Sequence, residues 1–153
     1  MTNTTKTPTP VPDTIERVLV LPHAVERVWA AITDPHELAG WFGDTAEVDL
    51  RPGGAALFTW GGRDRSAAVV EVVDPPRRFA FWWTAGVGEA VGPENRTLVE
   101  FTLEPVDGGT RLRLVESGFA ALAHGLDQHR DNTEGWATEL GHLEAYLRAD
   151  VSA

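Results

Sequence analysis

The sequence predicts an α+β domain in which a curved antiparallel sheet packs against one long C-terminal helix. Between residues 46 and 117, apolar residues recur with a period of two in short segments separated by glycine and proline turns, which is typical of an antiparallel meander. One more strand pattern and two short helical patterns precede these segments. From about residue 132 to 150 the period becomes helical, and its apolar face needs a large surface to cover it.

The first elements are predicted to be one strand and two short helices. We expect the strand over residues 15–21 and the first helix over residues 24–32, where the apolar residues fall on one helical face. Thr33-Asp34-Pro35 ends this helix and can begin the second, which reaches about Gly40. Trp41-Phe42 follows directly after it.

Six further strands complete the predicted sheet, and short turns join most of them. The strands are expected over residues 46–50, 54–60, 66–73, 78–84, 96–104 and 110–117. Because such short turns pair neighbouring strands, the sheet should follow the order of the chain. Residues 86–94 show no period and are predicted to form a loop. In the final helix one stripe carries Trp136, Leu140, Leu143 and Leu147.

Length and composition indicate a single domain behind a short tail. A chain of 153 residues with 42% hydrophobic content can bury one core, and we assign residues 14–150 to one domain. Residues 1–13 are rich in Thr and Pro and carry no signal-peptide pattern, so we predict a disordered tail. No apolar run reaches the length of about 18 residues that a membrane helix needs, and we expect a soluble protein without membrane insertion.

Charge and cysteine content argue against several function classes. A formal net charge of −10 disfavours nucleic acid and anionic membranes as partners. The chain has no cysteine, which excludes disulfides and thiol catalysis and fits the cytoplasmic location that we expect. We expect no metal and no cofactor. The one polar cluster that could suggest a metal is placed in a loop before the last helix and lacks convergent spacing; it comprises His124, Asp127, His129 and Asp131.

Several motifs, taken in order, resemble those of the START-like (SRPBCC) superfamily, in the branch of homologues of the activator of Hsp90 ATPase. The resemblance spans roughly residues 15–148. It implies the helix-grip fold, with six or seven strands around the C-terminal helix and two short helices after the first strand. It also implies a cavity that in various members binds lipids, polyketides or hormones. The motifs are Pro22 to Trp29, Thr33-Asp34-Pro35, Trp41-Phe42, Gly53-Gly54, Asp74-Pro75-Pro76-Arg77-Arg78, Trp83, Gly109-Thr110, Gly118-Phe119 and Gly135-Trp136.

Aromatic and aliphatic side chains of the sheet and the helix are the candidates for the cavity wall. Adjacent strand residues face opposite sides, so only one of Trp82 and Trp83 can face the cavity, and we select Trp83 because Phe79 and Phe81 share its parity. For each candidate the alternative is an ordinary place in the core. The full set is Trp41, Phe42, Phe58, Trp60, Phe79, Phe81, Trp83, Leu112, Leu114, Glu116, Phe119, Trp136, Leu140 and Leu143.

Glu116 is the one candidate for chemistry. Leu112 and Leu114 set the inward parity of their strand, and Glu116 continues it to the end of the cavity. A desolvated carboxyl group there could orient a polar ligand group or act as an acid or base. The alternative is that the strand ends early and Glu116 is solvated or paired with an arginine.

Three hypotheses for the function follow. The leading one is binding of an apolar or amphipathic small molecule between the sheet and the helix, without covalent chemistry. The second is an enzyme of the cyclase or hydratase type that uses a cavity carboxylate such as Glu116. The third is a stress-response or chaperone-related protein-interaction module. A protein partner or a homodimer is compatible with each of them.

Overall fold

The computed structural model describes residues 10–61, 64–84 and 89–150. The described residues form seven strands, three helices and one 3-10 turn (Phe119–Ala121). In chain order the elements are β1 (Thr14–Leu21), α1 (Val25–Thr33), α2 (Pro35–Leu38), β2 (Thr45–Val48), β3 (Ala55–Trp60), β4 (Asp64–Asp74), β5 (Arg78–Thr84), β6 (Arg96–Val106), β7 (Gly109–Ser117) and α3 (Gly125–Asp150).

All seven strands form one antiparallel sheet in the order β1-β7-β6-β5-β4-β3-β2. From β2 to β7 each strand pairs with its neighbour in the chain, as the short turns predict, and β1 closes the other edge by pairing with β7. The register between β4 and β5 shifts between Val70 and Val72, which leaves Glu71 as an extra residue. A bulge of this kind bends its strand, so it contributes to the curvature of the sheet.

The core lies between the concave face of the sheet and helix α3. Alternate residues of the central strands point inward, as in the buried pairs Phe81–Val99 and Phe101–Leu114. The helix covers them with its predicted stripe, in which Trp136 is 2% exposed and Leu147 fully buried. The convex face is charged: Arg111 pairs with Glu104, and Arg113 pairs with Glu16.

Helix α3 begins at Gly125, well before the predicted start at residue 132. The added turns carry Leu126 as their one large aliphatic residue, and it is exposed, so no apolar period marks them. The prediction that Asp127, His129 and Asp131 lie in a loop was therefore wrong, because these residues lie on the helix. His129 packs edge-on against Phe119, with ring centroids 5.1 Å apart. The described residues contain no group of three or more side chains able to hold a metal.

The two segments predicted to lack regular structure are described only in part. Residues 1–9 lie outside the described residues, as do residues 85–88. In residues 10–13, Val11 packs against the core and the Asp13 carboxylate accepts a hydrogen bond from the Ala120 N–H at 3.1 Å. Within the described ranges, none of the helices combines the length and apolar character needed to cross a membrane.

Candidate ligand-binding site

A cavity of about 400 Å³ lies between the first half of α3 and the ends of β3 and β5. Most of the concave face is closed by side chains, so this cavity is one end of the space between sheet and helix. Aromatic rings form part of its wall and polar side chains of α3 form the rest. The lining residues are Phe42, Trp60, Trp83, Asp131, Asn132, Glu134, Gly135, Trp136, Thr138 and Glu139.

The aromatic wall brings together rings from four different parts of the chain. Phe42 follows α2 and stacks on Trp136 of α3, with centroids 5.5 Å apart and planes 11° apart. It also stacks on Trp83 of β5 at 5.8 Å and meets Trp60 of β3 edge-on at 5.2 Å. Each such pair contributes about 0.5–1.5 kcal/mol beyond the burial of its area. Mutual contact therefore fixes the four rings.

The pleat of β5 decides which tryptophan reaches the cavity. Trp83 lines it, whereas Trp82 lies on the convex face, where its ring packs under the Arg96 guanidinium at 4.0 Å. The Trp82 indole N–H donates to Glu71 at 3.2 Å. On the helix, Gly135 leaves the cavity open, because a Cβ added there would meet nothing within 4 Å.

Glu139 is the most enclosed of the acidic residues in the wall, with a side chain 14% exposed. Its carboxylate accepts the Gly43 backbone N–H at 3.2 Å and the Trp60 indole N–H at 3.4 Å. Gly43 has φ +73°, and an added Cβ would lie 2.7 Å from the Thr59 carbonyl oxygen, so only glycine brings this N–H to the helix without strain. Glu139 thus ties α3 to β3 and to the turn before β2.

Glu116 is fully buried behind the aromatic wall. One oxygen accepts the Trp83 indole N–H at 2.8 Å and the Thr97 hydroxyl at 2.5 Å. The other accepts the Trp136 indole N–H at 2.7 Å, and the Asn132 side-chain amide lies within 3.1 Å of both oxygens. Three of these four partners line the cavity, so Glu116 fixes the position of its inner wall.

Burial raises the pKa of Glu116 above its usual value of 4.5, and the hydrogen bonds from Thr97, Trp83, Trp136 and Asn132 lower it in turn. Indole and amide N–H groups can only donate, whereas a hydroxyl can also accept. If the carboxyl group holds a proton, the proton therefore points to Thr97. Both protonation states fit the site, and neither leaves an oxygen free to face the cavity.

The predicted site residues fall into two groups. Phe42, Trp60, Trp83 and Trp136 line the cavity together. Glu116 continues the inward parity of its strand and is buried with a raised pKa, as expected, but it is not among the residues that line this cavity. The alternative, a solvated or arginine-paired carboxylate at the end of a shorter strand, was wrong. The remaining candidates are not among the lining residues and are buried in the core, where they support the wall: Trp41, Phe58, Phe79, Phe81, Leu112, Leu114, Phe119, Leu140 and Leu143.

Sequence reasoning missed the polar half of the wall. Asn132 and Glu139 lie one turn either side of Trp136 on α3, at spacings of four and three residues, which places all three on one helical face. That spacing is a signal that could have identified them. Asp131, Glu134 and Thr138 flank this face, and no apolar pattern marks them.

A curved antiparallel sheet that grips one long helix, with a cavity where the two separate, defines the START-like class of helix-grip domains. Within this class the chain belongs to the family of Activator of Hsp90 ATPase homolog 1-like proteins, whose model matches residues 22–148. No curated protein matches the chain.

Solved structures share the architecture. DynU16, a protein of the dynemicin biosynthetic locus, is 28% identical with a TM-score of 0.73; the match covers 90% of this chain and 48% of that one, so this chain spans about half of DynU16. Ms6760 from Mycobacterium smegmatis is 26% identical with a TM-score of 0.70, over 90% of this chain and 92% of its own. MLL2253 from Mesorhizobium loti is 24% identical with a TM-score of 0.76, over 89% and 97%.

Proposed function

We propose that this protein binds an apolar or amphipathic small molecule in the cavity between the sheet and α3, without covalent chemistry. The observation that carries the proposal is the wall of four aromatic rings around an open space of about 400 Å³. Small-molecule sites typically measure about 300–1,000 Å³ and combine aromatic walls with a few polar groups. The four rings are held by one another and by Glu116 and Glu139, so the wall is formed before a ligand arrives.

Binding without catalysis is favoured over a cyclase or hydratase by the position of Glu116. A general acid or base must come within about 2.6–3.2 Å of the proton it transfers, or reach it through one water. Glu116 is 0% exposed, and both its oxygens are engaged by side chains that separate it from the cavity. It is therefore assigned a positioning role.

A helix glycine offers a direct test with a matched control. In Gly135→Leu the new side chain would project into the open cavity. Gly141→Leu is the control, because Gly141 lies on the same helix with equally open surroundings and does not line the cavity. Wild type, Gly135→Leu and Gly141→Leu are compared in thermal-shift titrations with fatty acids, sterols, flavonoids and polyketide-like aromatics. A ligand at 100 times its Kd stabilises the native state by about 2.7 kcal/mol, which raises Tm by several degrees in a domain of this size.

The proposal predicts that a compound stabilises wild type and Gly141→Leu, and that Gly135→Leu loses this stabilisation. Stabilisation of all three proteins would place the compound elsewhere and contradict the proposed site. If no compound stabilises a cooperatively folded wild type, ligand binding is wrong, and a chaperone-related or stress-response interaction module becomes the leading alternative.

A further inference from the structure

The cavity wall combines aromatic rings with carboxylates and carries no opposite charge. Asp131, Glu134 and Glu139 lie along the α3 side, and none of the described lining residues is Lys, Arg or His. From this composition we propose that the ligand is an organic cation, an ammonium compound that carries an aromatic or alkyl group. The inference rests on the proposed binding function and narrows it to one class of ligand.

The three carboxylates have no strong cation of their own in the parts of the chain that the structure describes. Neither Asp131 nor Glu134 takes part in a salt bridge there, and Glu139 has only the imidazole of His142, with Nδ1 3.0 Å from its carboxylate. The two other hydrogen bonds that Glu139 accepts are long: 3.2 Å from the Gly43 N–H and 3.4 Å from the Trp60 indole N–H. A cationic ligand would bring a positive charge close to Glu139, the enclosed member of the three, where attraction between opposite charges is stronger than in bulk water.

The aromatic half of the wall suits the same ligand. Trp is the best of the aromatic side chains at attracting a cation to its ring face, and cages of such rings recognise quaternary ammonium groups. Trp60 and Trp83 are half-buried and stand at 61° to each other, so two tryptophans of different orientation border one space. Trp136, 2% exposed, stacks on Trp83 and supports it. The carboxylates would in turn repel an anion such as a fatty acid.

Charge can be separated from shape with three benzyl compounds of similar size. Benzyltrimethylammonium carries the cation, neopentylbenzene replaces its nitrogen by carbon, and phenylmethanesulfonate carries an anion. Isothermal titration of the wild-type protein at one ionic strength is expected to give a Kd for the cation at least tenfold lower than that for the neutral compound. The anion is expected to bind more weakly than either.

Variants that each remove one negative charge test whether the preference for the cation comes from the carboxylates of α3. Glu139→Gln keeps an oxygen that can accept the Gly43 and Trp60 N–H groups, and Glu134→Gln removes a rim charge. Each is expected to weaken binding of the cation severalfold and to weaken binding of the neutral compound much less. Glu144→Gln makes the same change of net charge on the same helix outside this cavity, and it should alter neither affinity.

Three results would contradict the cation assignment or its place in the cavity. If the neutral compound binds as tightly as the cation, the charge preference is wrong while binding in the cavity stands. If the cation fails to bind at all, the assignment is wrong, and the broader panel with Gly135→Leu then decides whether the cavity binds any small molecule. Equal loss of cation affinity in Glu144→Gln would show a diffuse effect of net charge and would also contradict the site.

Discussion

Glu116 is the residue on which the candidate site depends most. It joins β7 to β5, β6 and α3 through four side chains, and two of them are the indoles that stack in the cavity wall. Its inward position could be predicted from the parity of Leu112 and Leu114. Its hydrogen-bond partners could not be predicted in this way, because Thr97, Asn132 and Trp136 belong to elements whose relative placement a single sequence does not specify.

We predict that Glu116→Gln destabilises the protein by about 1–3 kcal/mol, although the side chain has nearly the same shape. An amide has one oxygen, so its NH₂ group must face either the Trp136 N–H or the Trp83 N–H, and one buried indole loses its acceptor. Urea denaturation measures the change. Glu104→Gln on the convex face, where the ion pair with Arg111 is exposed, serves as the control and should change little.

The raised pKa of Glu116 predicts a pH dependence of stability. Between the usual value of 4.5 and the higher native pKa, the folded protein retains a proton that the unfolded chain has released. Unfolding then releases a proton, so the free energy of unfolding falls as pH rises through this window. The stability of wild type minus that of Glu116→Gln should therefore decline from pH 4 to pH 7. A difference that rises with pH would show that the hydrogen bonds outweigh burial.

Among the elements, α3 depends on a close approach to α2 near its C-terminal end. The Tyr146 hydroxyl donates to Glu37 at 2.9 Å, and Glu37 also accepts from Arg27 at 2.7 Å. Gly40, just beyond α2, lies under the Tyr146 ring. The period of α3 was visible from Trp136 onward because packing requires it there. The first turns of α3 could not be recognised from an apolar period, because polar residues predominate in them. These turns pack against the neighbouring 3-10 turn and the edge strand β1, where His129 contacts Phe119 and the Thr14 carbonyl oxygen.

We predict that Gly40→Ala destabilises the protein by about 1–3 kcal/mol, as overpacking does. The new Cβ would lie 2.6 Å from the Tyr146 ring and 3.1 Å from the Glu37 carbonyl oxygen. A double-mutant cycle with Tyr146→Ala tests the cause, since removal of the ring should make the alanine less costly. Additive losses would place the strain elsewhere.

The two open glycines of α3 give the opposite prediction. Gly135→Ala and Gly141→Ala should each raise the free energy of unfolding by up to about 1 kcal/mol, because both lie inside the helix and an added Cβ meets nothing within 4 Å. Thermal and urea unfolding measure the gain. A loss of stability at position 135 alone would contradict the open, helical surroundings of that residue.

At the scale of the whole molecule, the fold was predictable, whereas the extent of the cavity was not. Alternating apolar residues in the strands, short turns between the strands and one amphipathic helix were enough to predict a sheet around a helix. The apolar face of the sheet and the apolar stripe of the helix must both be buried, and each can be buried against the other. Much of the space that this shape encloses is filled by Phe58, Phe81 and their neighbours. The boundary between the packed core and the open cavity depends on how Phe42, Trp83 and Trp136 stack. Side-chain volume alone does not specify that stacking.

The most direct test of the cavity as the ligand site is to follow the indole N–H signals of the six tryptophans by ¹⁵N–¹H NMR during titration with a compound that binds. Trp→Phe variants assign the signals. A ligand site in this cavity predicts that the signals of Trp60, Trp83 and Trp136 shift with the bound fraction, while that of Trp82 on the convex face stays in place. Saturating binding that shifts Trp82 and leaves the three wall tryptophans unchanged would contradict it.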